Sequence, residues 1–100
     1  MEKRTPHCKL EAVQALVTAG KVRVTRSARE TASRLGFTFP EMLDVLMALT
    51  PADFYKSMTT YTDHRVWQDV YRPNTSVGDL YLKFSVVEDL LIVSFKELSS

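Results

Sequence analysis

This chain of 100 residues has one cysteine, three glycines and four prolines, and nothing near the ~20-residue apolar run that crosses a bilayer. Each shortage excludes something. The lone Cys8 leaves no disulfide within the chain and no cysteine-based zinc site. It reads as a small, half-buried apolar residue. Glu2, Lys3 and Arg4 lead into an amphipathic segment instead of an apolar signal region, so a cytoplasmic location is expected, with no membrane partner. The two histidines, His7 and His64, are far apart, the acids are scattered and HExxH is missing. No metal or other cofactor is expected. Without repeats, low-complexity tracts or a Gly/Ser linker, residues 1–100 read as one domain able to bury one core.

What is present is ordinary in amount and uneven in placement. Net charge is +1. Residues 1–34 hold eight Lys/Arg against three acids, whereas residues 35–100 hold five against nine. That asymmetry fits a basic N-terminal face that attracts phosphate, and it fits solvated helix surface equally.

The first half has helical spacing. Thr5-Pro6 forms a plausible cap ahead of Leu10, Val13, Leu16 and Val17, with Gly20 as the stop. Residues 21–25, KVRVT, alternate like a short strand. Ser27-x-x-Glu30 reads as a capping box opening a second helix that Gly36 ends. Thr38 and Pro40 start a third, with Met42, Leu43, Val45, Leu46 and Leu49 as its apolar side. Residues 50–53, TPAD, predict a further turn of helix carrying Phe54 to Lys56.

The second half reads as sheet: strands over residues 64–71, 80–87 and 90–96, the last two joined by a tight Glu88-Asp89 turn. Period-2 sorting puts Leu80, Leu82, Phe84 and Val86 on one face, with Leu91, Val93 and Phe95 expected alongside. The opposite face carries Tyr81, Lys83 and Ser85, then Ile92, Ser94 and Lys96, and can hold Gln68 and Arg72. The expected fold is α+β, with N-terminal helices packed on one face of a mainly antiparallel β-sheet.

Chemistry concentrates in residues 53–73, DFYKSMTTYTDHRVWQDVYRP, which crowd Tyr55, Lys56, Tyr61, His64, Arg65, Trp67, Gln68, Tyr71 and Arg72 together. These side chains move protons, grip phosphate and stack on bases, the abilities that RNA chemistry uses. RNA carries its own nucleophile, the 2′-OH. Cleavage needs that hydroxyl deprotonated, the phosphorane stabilised and the 5′-oxygen protonated. Lysine, tyrosine and arginine can supply all of these. By residue type alone, Lys56, Lys96 and Gln68 fit a solvated surface as well, Trp67 fits a core, and Asp63 and Asp69 fit turn or cross-strand contacts.

DFYKSMTTY, DH, WQDVYRP, GxxYLK at residues 78–83, LLIVSFKE at residues 90–97 and the opening MEKRTPH resemble the MqsR toxins, a family of small messenger-RNA endonucleases with a RelE-like fold. The resemblance is dense from Asp53 onward and sparser over residues 8–50. It implies a catalytic set at Lys56, Gln68 and Tyr81 and a further basic residue at Lys96; we assign Arg72 and Lys96 to holding the RNA backbone. It implies cutting at GCU-like triplets. It also implies an MqsA-type antitoxin partner, zinc-binding and carrying a helix-turn-helix that binds DNA. On this reading Tyr81 handles a proton, Lys56 neutralises the phosphorane or acts as base, and Gln68 orients the phosphate or a base edge. The alternatives are a non-catalytic regulator that binds a partner or nucleic acid, and a gyrase poison on the same fold.

Overall fold

The computed structural model describes residues 1–98. Its elements are β1 (Glu2–Lys3), α1 (Leu10–Thr18), β2 (Val22–Val24), α2 (Arg26–Arg34), α3 (Phe39–Ala48), a 3₁₀ turn (Pro51–Asp53), β3 (Phe54–Thr59), β4 (Trp67–Tyr71), β5 (Asn74–Thr75), β6 (Gly78–Val87) and β7 (Asp89–Glu97). The main sheet runs β1-β3-β4-β6-β7-β2, and β5 pairs only with β6. Every pairing is antiparallel except β2 on β7.

The helices cover one face of this sheet. Val13 and Val17 of α1, Ala28 and Ala32 of α2, and Met42 and Leu46 of α3 pack in one buried cluster with Tyr71, Leu80, Leu82, Phe84, Leu90, Ile92 and Phe95. Two small alanines on α2 let that helix lie close against β7, and Thr31 Oγ1 donates to the Phe95 carbonyl at 2.6 Å. Gln14 Nε2 reaches from α1 to the carbonyls of Leu46, Met47 and Leu49, serving the C-terminal end of α3 that its own helix leaves unsatisfied.

Four local expectations change. α1 starts at Leu10 and not at Thr5-Pro6, because residues 2–3 pair with β3 and the chain from Arg4 to Lys9 is an irregular strap with bends at Arg4–Thr5 and His7–Cys8. The cap of α2 is Thr25, whose Oγ1 accepts from the Ala28 N–H and donates to the Val93 carbonyl, tying the helix start to β7; Ser27 lies inside the helix. α3 starts at Thr38 and Pro40 as the sequence reads, and the structure adds a capping box between Thr38 and Glu41. The turn after Thr50 closes at Asp53, so Lys56 stands on a strand and not on a helix. Finally, Lys83 pairs with Ser94 but Phe84 with Ile92, an extra residue in β7 that reverses its facing. Leu90 and Ile92 therefore face the core with Phe95, and Leu91 leaves it.

The strap has its own fastening. Asp69, 2% exposed, accepts the His7 and Cys8 backbone N–H groups and the Ser57 hydroxyl. Beside it His7 stacks on Trp67 and Lys3 Nζ lies 4.2 Å from the Trp67 ring centre. Cys8 is half-buried, and burial, followed by the Asp69 charge, pushes its thiol up.

Candidate active site

The sheet face away from the helices carries the polar residues, and the register arranges them in rows. Met58, Gln68, Ser85 and Leu91 form one row; Lys56, Val70, Lys83 and Ser94 form the next. Tyr81 and Lys96 form a third. Tyr71↔Leu82 pairing carries Arg72 towards the same end as Tyr81. Neighbouring strands are about 4.8 Å apart and alternate residues about 6.8 Å, so the three rows span roughly 14 Å. All five residues singled out by sequence thus reach one surface. Gln68 and Tyr81 stand at opposite ends of it, with the lysine row between.

Val70 shows how closely the long side chains converge. It is fully buried, yet it is outside the helix-side core cluster. Its row neighbours are Lys56 on one side and Lys83 on the other. Lys56, Gln68, Tyr81 and Lys83 are half-buried, and Lys96 and Arg72 are exposed.

A bulge between Phe54 and Lys56 brings Tyr55 into the site, a residue the sequence reading left unassigned. Its ring has Arg72 Cζ at 4.6 Å, Lys56 Nζ at 5.4 Å and Arg4 Cζ at 5.7 Å from its centre. Lys96 Nζ lies 5.3 Å from the Tyr81 ring centre. The face combines aromatic planes with cations, the pairing that holds single-stranded nucleic acid.

Two lysines in the same row have opposite environments. Lys56 pairs with Glu2 of β1, and this hydrogen bond raises the Lys56 pKa above the ordinary 10.5 while lowering that of Glu2. Lys83 is pushed below 10.5 by burial, and the charges of Lys96 and Lys56 push it the same way. Lys83 was legible as a member of this face by period-2 sorting but not as a functional residue. Replacing Glu2 by glutamine removes the main cause of the Lys56 shift. Titration of the lysine side chains by NMR is expected to find the Lys56 pKa lower than in the unsubstituted chain.

The histidines are elsewhere: His7 on the strap against Trp67, His64 exposed in the turn before β4. Asp63 bonds Arg65 in that turn, and Asp69 makes the cross-strand contact to Ser57, as their residue type leads one to expect. Among the described residues no group of three or more His, Cys, Asp or Glu could hold a metal ion. Nor is any helix among them long and apolar enough to cross a membrane.

Against this geometry, comparison with known proteins is decisive. A family model described as motility quorum-sensing regulator, toxin of MqsA, matches residues 5–97. The chain belongs to the MqsR toxin family. It is similar to the mRNA interferase toxin MqsR of Escherichia coli strain K12, with 59% identity over 97 residues, covering 97% of this chain and 99% of that protein. The family match extends through the helices, where the motif resemblance was sparse, and covers all five site residues.

Proposed function

We propose that this chain is the toxin of a type II toxin–antitoxin pair, an endoribonuclease that cuts messenger RNA and arrests growth by blocking translation. The observation that carries it is the near-full-length similarity to an mRNA interferase toxin. The gathering of Lys56, Gln68, Tyr81, Arg72 and Lys96 on one open sheet face supports it.

The nucleophile in this reading is the 2′-OH of the RNA itself, without a metal. Lys56, whose pKa the Glu2 hydrogen bond raises, neutralises the phosphorane; that shift favours this role over that of base. Tyr81 is the proton-handling residue. Arg72 and Lys96 grip flanking phosphates, Arg72 with its planar fork. Gln68, at the far end of the face, reads a base edge of a GCU-like triplet. The partner is an MqsA-type antitoxin, with zinc and the DNA-binding helix-turn-helix belonging to it and not to this chain.

Expression in a bacterial host tests the reading. Growth arrest that an MqsA-type antitoxin relieves, and that Tyr81→Phe abolishes, is the expected result. Arrest that persists with Tyr81→Phe, without messenger RNA loss, favours a regulator that only binds.

A further inference from the structure

We infer that Lys83 is the general base, the group that takes the proton from the attacking 2′-OH. This assignment rests on the ribonuclease reading and adds a residue to its catalytic set.

The geometry places Lys83 centrally. It stands two positions from Tyr81 on β6, in the row of Lys56 and one row from Gln68. A phosphate drawn to Lys56 and Lys96 therefore sits over Lys83, with Tyr81 on one side and Gln68 on the other. No carboxylate pairs with Lys83: the ion pairs among the described residues are Arg26–Glu30, Lys56–Glu2 and Arg65–Asp63. Facing it are Tyr81 from its own strand, Lys96 and Ser94 from β7, Val70 and Gln68 from β4, and Lys56 from β3 with Glu2 beyond. Burial, and after it the charges of Lys96 and Lys56, disfavour its ammonium form. Lys56 is biased the other way by Glu2. When two titratable groups in one site are driven apart in this manner, the acid and base roles divide between their environments.

The step balances. The Lys83 Nζ lone pair accepts the 2′-OH proton, and the 2′-oxygen bonds to phosphorus. The bond from phosphorus to the 5′-oxygen breaks, and the Tyr81 hydroxyl gives that oxygen its proton. The products are a 2′,3′-cyclic phosphate and a free 5′-hydroxyl. Lys83 and Tyr81 then return to their starting states by proton exchange with water.

Single-turnover cleavage of a defined single-stranded RNA, with ribosomes added if the free chain does not cut, tests the assignment. Lys83→Arg keeps charge and stem but not a group that can lose its proton. It is expected to slow cleavage by roughly 10²–10⁴. Lys83→Met, which keeps the stem, should be as slow, and thermal melting of both checks that they fold. A second RNA carries sulfur in place of the scissile 5′-oxygen, so its leaving group departs without a proton. Tyr81→Phe should recover on it and Lys83→Arg should not. Near-normal cleavage by Lys83→Arg, or its recovery on the sulfur substrate, overturns the base assignment alone. No cutting by the unsubstituted chain, even with ribosomes, overturns the ribonuclease reading and this inference with it.

Discussion

Tyr81→Phe is expected to slow RNA cleavage by roughly 10²–10⁴ at unchanged fold, the cost of losing one acid–base group. The substitution removes a single oxygen. The ring stays beneath Lys96 Nζ, 5.3 Å from its centre, and the residue keeps its place opposite Lys96 in the β6–β7 ladder. Sheet packing and the cationic face are therefore retained, and only proton transfer is lost. Single-turnover rates on one RNA, with melting temperatures for both proteins, separate the two effects. A near-normal rate would show that Tyr81 only covers the sheet.

The largest effect on stability is expected at Asp69. Its carboxylate is 2% exposed and accepts from two backbone N–H groups of the strap and from the Ser57 hydroxyl. Alanine leaves those donors without a partner in a part-buried site. Unmade buried hydrogen bonds cost about 1–3 kcal/mol each, and partial access to water reduces the sum, so a loss of about 3 kcal/mol follows. For a domain of this size that lowers the melting temperature by roughly 12–24 °C. Asparagine recovers only part, because one of its terminal atoms is a donor facing a donor. The effect reaches the active face as well. The strap follows β1, whose Glu2 pairs with Lys56, so freeing residues 7–8 loosens the neighbour that raises the Lys56 pKa. Thermal melting checks the first consequence and the Lys56 titration the second. An Asp69→Ala protein as stable as its parent would show that the strap contributes little to the fold.

Much of this was legible because sheets translate period-2 patterns directly into faces. Tyr81, Lys83 and Ser85 alternate with Leu80, Leu82 and Phe84, so the two sides of β6 follow from spacing alone. Thr38 and Pro40 marked the start of α3 for an equally local reason. What escaped depended on contacts distant in sequence or on a single extra residue. One bulge in β7 reversed its facing, so Ile92 went to the core where Leu91 was expected. Another in β3 brought Tyr55 among three cations. The Glu2–Lys56 and Asp69–His7 contacts join residues more than fifty positions apart, and nothing in their local sequence signals them. Segment charge misled in a similar way. Lys56, Arg72, Lys83 and Lys96 of the candidate face all come from residues 35–100, the segment with more acids than bases. The count does not know which strand positions share a side. The pairing of Lys56, Gln68 and Tyr81 as a catalytic set came from the family resemblance, since residue type alone fitted Lys56 and Gln68 to a solvated surface and left Tyr81 undecided.

The central claim is that this open face cuts RNA with the substrate's own hydroxyl. The most direct measurement uses the purified chain on a single-stranded RNA with several GCU sites, in the presence of EDTA, with the attacking 2′-OH removed at one site. Cutting that persists in EDTA and disappears only at the modified site is the result predicted. Cutting at the modified site as well, or cutting that stops in EDTA, would contradict it.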